Sequence, residues 1–591
     1  MDTFDNVLTA INSVIWHDFV LYTVLGVGVL FTLWSGFCQY RALTHGTAVV
    51  RGVYDNADDP GAINHFQALS AALSATVGLG NIGGVAVAIA LGGPGAVFWM
   101  WMIGLAGMAL KTTEVALSMM YRNTDDPDNP HGGPMWVVAK GLKERGFGSA
   151  GKFIGGVFCI TLLISAITGG NMFQSWNVGI VTKNAVGGGS DGVGIATGII
   201  LAVIVGAVII GGIKRIGAVA GRLVPLMCAL YLLAAFVVLF MNLGDVPKNL
   251  ALIVTSAFAT QDAQGAFIGG TFGYAFLWGM KRALFSSEAG QGSSPIAHSA
   301  AKTDEPVREA VVAGLEPFID TIVVCTLTSL VILSSGAWNR TGESMYVADA
   351  LPVFVQAEND EDGNAQWKLD TTEMPGRTDE AKKVANGKDW AGTETVFIIA
   401  EFGEVQDDTA NRLHRVEGEV TLEDDVPVVD WELVTADEQP VLVDGHIHNN
   451  YPGAALTTHA FDRAVPGLGT WLVLIASWLF AISTMISWSY YGEQGIVYLF
   501  GDGGVLPYKL IYCLLIVVST LPFIETDAQL DNLTALGTGV MLWANIPIML
   551  IFGTVAMKAY HSYMGKLKAG EFPRHKAPKL TDVVEGHDVE K

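Results

Sequence analysis

Long apolar runs separated by short polar stretches set the pattern of this chain. They fall near 17–37, 66–91, 97–120, 152–172, 193–212, 223–242, 266–284, 311–334, 467–489, 505–523 and 534–556. Each approaches the roughly 20 residues that a helix needs to cross a hydrocarbon core. The pattern predicts an all-α polytopic membrane protein with eleven transmembrane helices. Basic residues give the orientation, because Lys and Arg concentrate in cytoplasmic loops. Arg41 and Arg51 follow the first run, Arg122, Lys140, Lys143, Arg145 and Lys152 the third, and Lys214, Arg215 and Arg222 the fifth. Lys281, Arg282, Lys302 and Arg308 follow the seventh, and Lys558, Lys566, Lys568 and Arg574 the last. The intervening loops hold only Lys183 and Lys248 before residue 336. The N-terminus is thus expected outside and the C-terminus in the cytoplasm.

Glycines interrupt two of the runs. The second contains ATVGLGNIGG (75–84), and the seventh contains Gly269-Gly270-Thr271-Phe272-Gly273. The first stretch fits the G-x-G-x-x-G pattern of dinucleotide loops. That pattern needs a preceding strand and an acidic residue about 20 positions on, and GVAVAIALGGPGAVFWMWMI after Gly83 has no Asp or Glu. An unwound helix within the bilayer is the better reading, tolerated only where it is buried in protein or lines a cavity. The two interrupted runs lie five apart, and eleven divides as 1+5+5. A unit of five crossings is inverted when it is repeated, and matched breaks in two halves point to a transporter binding site.

A broken helix offers amide N–H groups to a carboxylate and free carbonyls to a cation. Ser483 and Thr484 in the ninth run add hydroxyl oxygens, with Trp488 one turn beyond Thr484 on the same face. The plainer role of such hydroxyls is to bond a carbonyl of their own helix or a neighbouring helix. The glycine-rich breaks carry no titratable group, which favours Na⁺ over H⁺ as the driving ion. Lys111 and Glu114 form an intramembrane pair at i, i+3, read here as a structural tie with a functional role as the rival.

Composition sharpens the picture. The chain has 591 residues, 51% hydrophobic and 15% charged, against roughly 25% charged in soluble domains. Of the net charge of −23, −18 resides between Arg340 and Asp444, where 26 acidic residues face 8 basic ones. Residues 336–450 therefore form an acidic extracytoplasmic insertion between the eighth and ninth runs. Segments such as Glu394–Ala400 and Val441–Val443 suggest short strands and a β-rich domain, with disorder as the alternative. The remaining divisions are 1–335, 451–556 and a cytoplasmic tail, 557–591. His446 and His448 could bind a metal, but solvated loop histidines are the simpler reading. Cys38, Cys159, Cys228, Cys325 and Cys513 lie in or at the ends of apolar runs and form no metal or disulfide pattern. The first 16 residues carry Asp2 and Asp5 and no Lys or Arg, unlike the basic start of a cleavable signal.

Four blocks resemble the alanine/glycine:cation symporter family, the sodium:alanine symporters. They are SATVGLGNIGGVAVAIALGGPGAVFWMW (74–101), GMALKTTEVALSMMYR (107–122), KRALFSSEAGQGSSPIA (281–297) with EPVREA and FIDTIVVCT after it, and FAISTMISWSYYGEQ (480–494). The resemblance implies a LeuT-type fold of the amino acid–polyamine–organocation superfamily, with spans 2–11 as the 5+5 inverted repeat and span 1 as an addition. It implies that Thr76, Gly78, Leu79, Gly80 and Asn81 line the substrate break of span 2. Phe272 and Gly273 would do so in span 7, and Thr484 and Trp488 in span 9. It places Na⁺ at the carbonyls of Ser74 and Val77 and the hydroxyls of Ser483 and Thr484. The 336–450 insertion departs from the family, in which a short outer loop is usual.

The expected function is Na⁺-coupled symport of a small neutral amino acid, alanine or glycine, into the cell by alternating access. Phe272 and Trp488 would bound the pocket. Na⁺ is then a co-transported ion, the lipid bilayer is the surroundings, no nucleic acid is involved and no enzymatic constellation is apparent. A receptor or sensor using the insertion, and a proton-coupled transporter, are the alternatives.

Overall fold

The computed structural model describes residues 2–56, 58–186, 190–347, 351–359, 363–371, 373–385, 387–424, 426–521 and 527–586. In chain order the main helices begin with α1 (Val7–Trp34), α2 (His65–Thr76), α3 (Gly80–Gly92), α4 (Gly95–Tyr121) and α5 (Gly148–Lys183). α6 (Asp191–Ile209), α7 (Gly212–Met241) and α8 (Phe272–Ser287) follow. The last four are α9 (Pro306–Ser334), α10 (Leu468–Phe500), α11 (Val505–Val518) and α12 (Thr534–Ala569). Among the described residues, eight of these are long and apolar enough to cross a membrane, and the pair α2–α3, bent by 54°, makes up to a ninth.

The runs near 266–284 and 505–523 form the shorter helices α8 and α11, of 16 and 14 residues. α8 starts late for a local reason. Gly269 adopts φ +92°, Gln261 and Gly270 pair through their backbones, and the Thr271 hydroxyl caps the helix by accepting from the Tyr274 N–H. GGTFG is therefore the lead-in to a helix and not a break within one. Residues 522–523, at the end of the other run, lie outside the described residues.

Small residues let these helices approach closely, as is usual where lipid supplies no hydrophobic drive between them. A Cβ on Gly279 of α8 would stand 2.3 Å from the Ala96 carbonyl of α4. α2 is buried except at Phe66, which is half-buried, and packs between α7 and α10. Its start is fixed by Asn64, whose side-chain oxygen accepts from the Gln67 N–H at 2.8 Å. The Asn64 amide donates to the Val583 carbonyl at 2.7 Å, tying the C-terminal segment to the broken helix.

Between α9 and α10 the chain forms strands. β1 (Ser344–Met345), β9 (His446–Asn449), β4 (Thr395–Gln406), β5 (Asn411–Glu423) and β6 (Val426–Trp431) lie side by side in that order, and β8 (Val441–Leu442) also pairs with β4. β2 (Phe354–Gln356), β3 (Gln366–Leu369) and β7 (Val434–Thr435) make a second sheet. Both sheets are antiparallel and enclose their own apolar cluster, including Val396, Ile398, Val416, Val429 and Trp431. The segment expected as a strand at 394–400 extends to Gln406. His446 and His448 lie on β9 rather than in a loop. His448 is buried and stacks on Phe397 at 5.0 Å, while His446 pairs with Asp444 at 2.9 Å.

The β4–β5 hairpin grips the lead-in to α8. Arg415 donates to the Ala266 carbonyl at 2.8 Å, Asn411 to that of Ile268 at 2.6 Å, and the Thr271 N–H to that of Asp408 at 2.9 Å. At the opposite end of the broken pair, Asn64 both caps α2 and holds the tail. Asn64→Ala removes a cap worth about 1 kcal/mol and the tail contact, whereas Asn64→Asp keeps the cap alone. Melting temperature in detergent is expected to fall most for Asn64→Ala and less for Asn64→Asp.

Candidate functional site

α2 ends at Thr76 because the chain leaves helical geometry at Val77 (φ −78°, ψ 95°). A wide helical turn over Gly80–Gly84 then starts α3. The break is wholly buried, so its polar groups require protein partners. Asn81 supplies several. Its carbonyl oxygen accepts from the Gly78 N–H at 2.8 Å, and its amide donates to the Ser286 hydroxyl at 2.9 Å and to the Asp320 carboxylate. Ser286 in turn donates to Asp320 at 3.0 Å, as does Thr321 at 2.8 Å. One asparagine thus joins the break, the end of α8 and the middle of α9. It also occupies the Gly78 N–H, one of the amides expected to face a substrate carboxylate.

On the other side, α10 meets the break through hydroxyls. The Ser74 carbonyl accepts from Thr484 at 3.2 Å and from Ser483 at 3.3 Å, and the Ser74 hydroxyl donates to the Ser483 carbonyl at 2.6 Å. Ser483 also bonds back to the Phe480 carbonyl at 2.8 Å, so the plainer role is present alongside the contact between helices. Gly78 permits this approach, since a Cβ there would be 3.0 Å from the Thr484 hydroxyl. Ser74, Thr76, Val77, Gly78, Leu79, Gly80, Asn81, Ser483, Thr484 and Trp488 are all buried around this junction. The Thr76 hydroxyl bonds back to Ala72 at 3.4 Å. Gly80 faces the Phe285 ring, which a Cβ would meet at 3.3 Å.

Phe272 and Gly273 are placed elsewhere. Phe272 is 43% exposed in the first turn of α8 and sits edge-on to Trp99 at 5.7 Å. About 13 residues of helix, roughly 20 Å, separate it from Ser286. From α8, Phe285 reaches Gly80 and Ser286 reaches Asn81, while Arg282 approaches Gly84.

Lys111 is paired more closely with Glu316 of α9, at 3.3 Å, than with Glu114, at 3.9 Å. Glu316 accepts from His298 at 2.7 Å, and His298 and His65 share Glu309. The pair is one end of a buried charge network linking α2, α4 and α9.

A family model described as the sodium:alanine symporter family matches residues 1–357 and 433–577. The chain belongs to the sodium:alanine symporter family. Among its relatives in that family, the sodium/alanine symporter AgcS of Methanococcus maripaludis is 33% identical, over 93% of this chain and 96% of that protein. A putative sodium/proton-dependent alanine carrier protein, YrbD of Bacillus subtilis, is 28% identical over 96% and 94%. A probable sodium/glutamine symporter of the same organism, GlnT, is 36% identical over 58% and 68%. The family model leaves unmatched residues 578–591 and an internal segment, 358–432, which contains β3 to β6, including the hairpin that grips α8.

Asp320 was legible but unweighted in the sequence. An acidic side chain inside a spanning run is a functional candidate by default, and FIDTIVVC carries one. The breaks themselves hold no titratable residue, yet the fold brings this carboxylate against Asn81, which removes that argument against protons. Asn81→Ala strips donors from a buried carboxylate, at a cost of about 1–3 kcal/mol. A lower melting temperature and faster amide exchange over residues 77–84 are expected, and unchanged exchange would contradict the bridging role.

Proposed function

We propose that the protein is a secondary active transporter that carries a small neutral amino acid, alanine or glycine, into the cell together with Na⁺ by alternating access. The observation that carries this reading is the meeting of two α10 hydroxyls with the Ser74 carbonyl at the end of a broken helix. Carbonyl and hydroxyl oxygens of this kind suit a hard monovalent cation, and the discontinuous helix supplies them at mid-membrane depth. In this reading the Ser74 and Val77 carbonyls with Ser483 and Thr484 hold Na⁺. Thr76, Leu79, Gly80 and Asn81 line the amino-acid side, with Trp488 as its wall. The Asp320 carboxylate adds negative charge beside the break and draws cations toward it. Phe272 and Gly273 sit at the far end of α8, away from the break.

The wider architecture belongs to the same reading. Eleven crossings, with α8 and α11 as the two short ones, give a LeuT-type 5+5 repeat after an added first helix. The N-terminus and the 336–450 segment then lie outside, the latter as an accessory domain, and the C-terminal tail lies in the cytoplasm. The family membership and the names of the relatives AgcS and YrbD support Na⁺ and alanine. Asp320 specifically favours a second reading, in which a proton replaces or accompanies Na⁺.

Uptake of labelled alanine into proteoliposomes separates the two. Uptake driven by an inward Na⁺ gradient at uniform pH is expected, and uptake driven by a pH gradient and indifferent to Na⁺ would overturn Na⁺ coupling. Thr484→Ala is expected to raise the Na⁺ concentration for half-maximal uptake about tenfold, equivalent to about 1.4 kcal/mol, with folded protein retained.

A further inference from the structure

Trp488 is held on two sides by residues to which no role has been assigned. Its indole N–H donates to one carboxylate oxygen of Glu288 at 3.1 Å, and the other oxygen accepts from the Ser293 hydroxyl at 2.5 Å. Glu288 immediately follows α8, and its own N–H closes the helix on the Leu284 carbonyl at 3.1 Å. Its backbone is left-handed, φ +52°, a conformation disfavoured for a residue with a Cβ. Such strain persists where the surrounding contacts fix it. Glu288 and Trp488 are 3% and 4% exposed, so the hydrogen bond is shielded from water.

Opposite this bond lies Gly170, in the wide turn Thr168–Met172 within α5. A Cβ on Gly170 would stand 2.4 Å from both Cβ and Cγ of Trp488. Only a bare backbone fits there. The tryptophan is thus pressed against α5 at its root and pulled toward the end of α8 at its tip. One turn earlier on the same helix, Thr484 touches the break at Gly78, and in the reading given above Trp488 is the wall of the site, so the indole position would set how much room remains beside the break.

We infer that Glu288 is a positioning residue and Gly170 its steric counterpart, together fixing the Trp488 indole and so the largest amino-acid side chain that the site admits. The inference rests on the transport reading given above. Glu288 holds the indole by hydrogen bonding, so its length and acceptor oxygen matter more than its charge.

The two residues predict opposite shifts in selectivity. Glu288→Ala frees the indole, and the preference for alanine over glutamine, measured by competition in Na⁺-energised proteoliposomes, is expected to fall at least tenfold. Glu288→Gln, which keeps length and an acceptor, is expected to stay within about twofold of the unmodified ratio. Gly170→Ala drives the indole into the site and is expected to shift preference from alanine toward glycine. A change confined to overall folding would move uptake of all three amino acids together and leave their ratios intact. Unchanged ratios in Gly170→Ala and in Glu288→Ala, or a loss of selectivity in Glu288→Gln equal to that in Glu288→Ala, would overturn the inference. Should Glu288→Ala not fold, Gly170→Ala and Glu288→Gln decide it alone. Absence of Na⁺-driven uptake by the unmodified protein would remove the transport reading itself.

Discussion

A peptide chain that leaves its helix inside a low-dielectric interior must find partners for every amide and carbonyl that it frees. The structure turns on how this is met between Val77 and Asn81. No single neighbour suffices. Asn81 supplies the acceptor for Gly78 and reaches Asp320 and Ser286, while Ser483 and Thr484 meet the Ser74 carbonyl from the opposite side. The break is therefore the place where α8, α9 and α10 are joined. Polar backbone that leaves its helix and is satisfied by exchangeable side-chain contacts is also backbone that a cation or carboxylate can claim in their place.

The two halves of the broken helix are restrained from different ends of the molecule. The first half, α2, begins at an asparagine bonded to the C-terminal segment, and Gln67 one turn on donates to Val584 at 3.3 Å. The second half, α3, ends near Arg415 of the β4–β5 hairpin, which donates to the Ala90 carbonyl at 3.4 Å while holding the α8 lead-in. Both restraints come from parts of the chain beyond the residues that the family model matches. A helix hinged at its middle and tied separately at each end is suited to moving one half at a time.

Much of this was readable from the chain, for identifiable reasons. Glycines that thin out a spanning run mark the break, and a hydroxyl pair with a tryptophan at i+4 marks the facing helix. Both signals are local, and both sets of residues meet in the fold. The GGTFG stretch misled because glycine density alone does not distinguish a gap inside a helix from the approach to one. Thr271 decided the matter by capping α8 at Phe272. The working end of α8 lies at Phe285 and Ser286, inside a block whose resemblance to the family was evident but whose geometry was not. Asp320 and Glu288 escaped because their meaning is non-local. Each is a lone acid in an apolar or glycine-rich context until the fold brings it against Asn81 or Trp488. His446 and His448 showed the reverse, since nothing in GHIHNN announces a strand that β1 and β4 flank.

In the proposed function, cation binding at the Ser74–Ser483–Thr484 junction prepares the break for an amino acid. Calorimetric titration of alanine into the purified protein, in NaCl and in choline chloride at equal ionic strength and pH, tests it directly. Binding is expected in NaCl, with at least tenfold weaker binding in choline and loss of that difference in Ser483→Ala. Equal affinity in the two salts for the unmodified protein would contradict it.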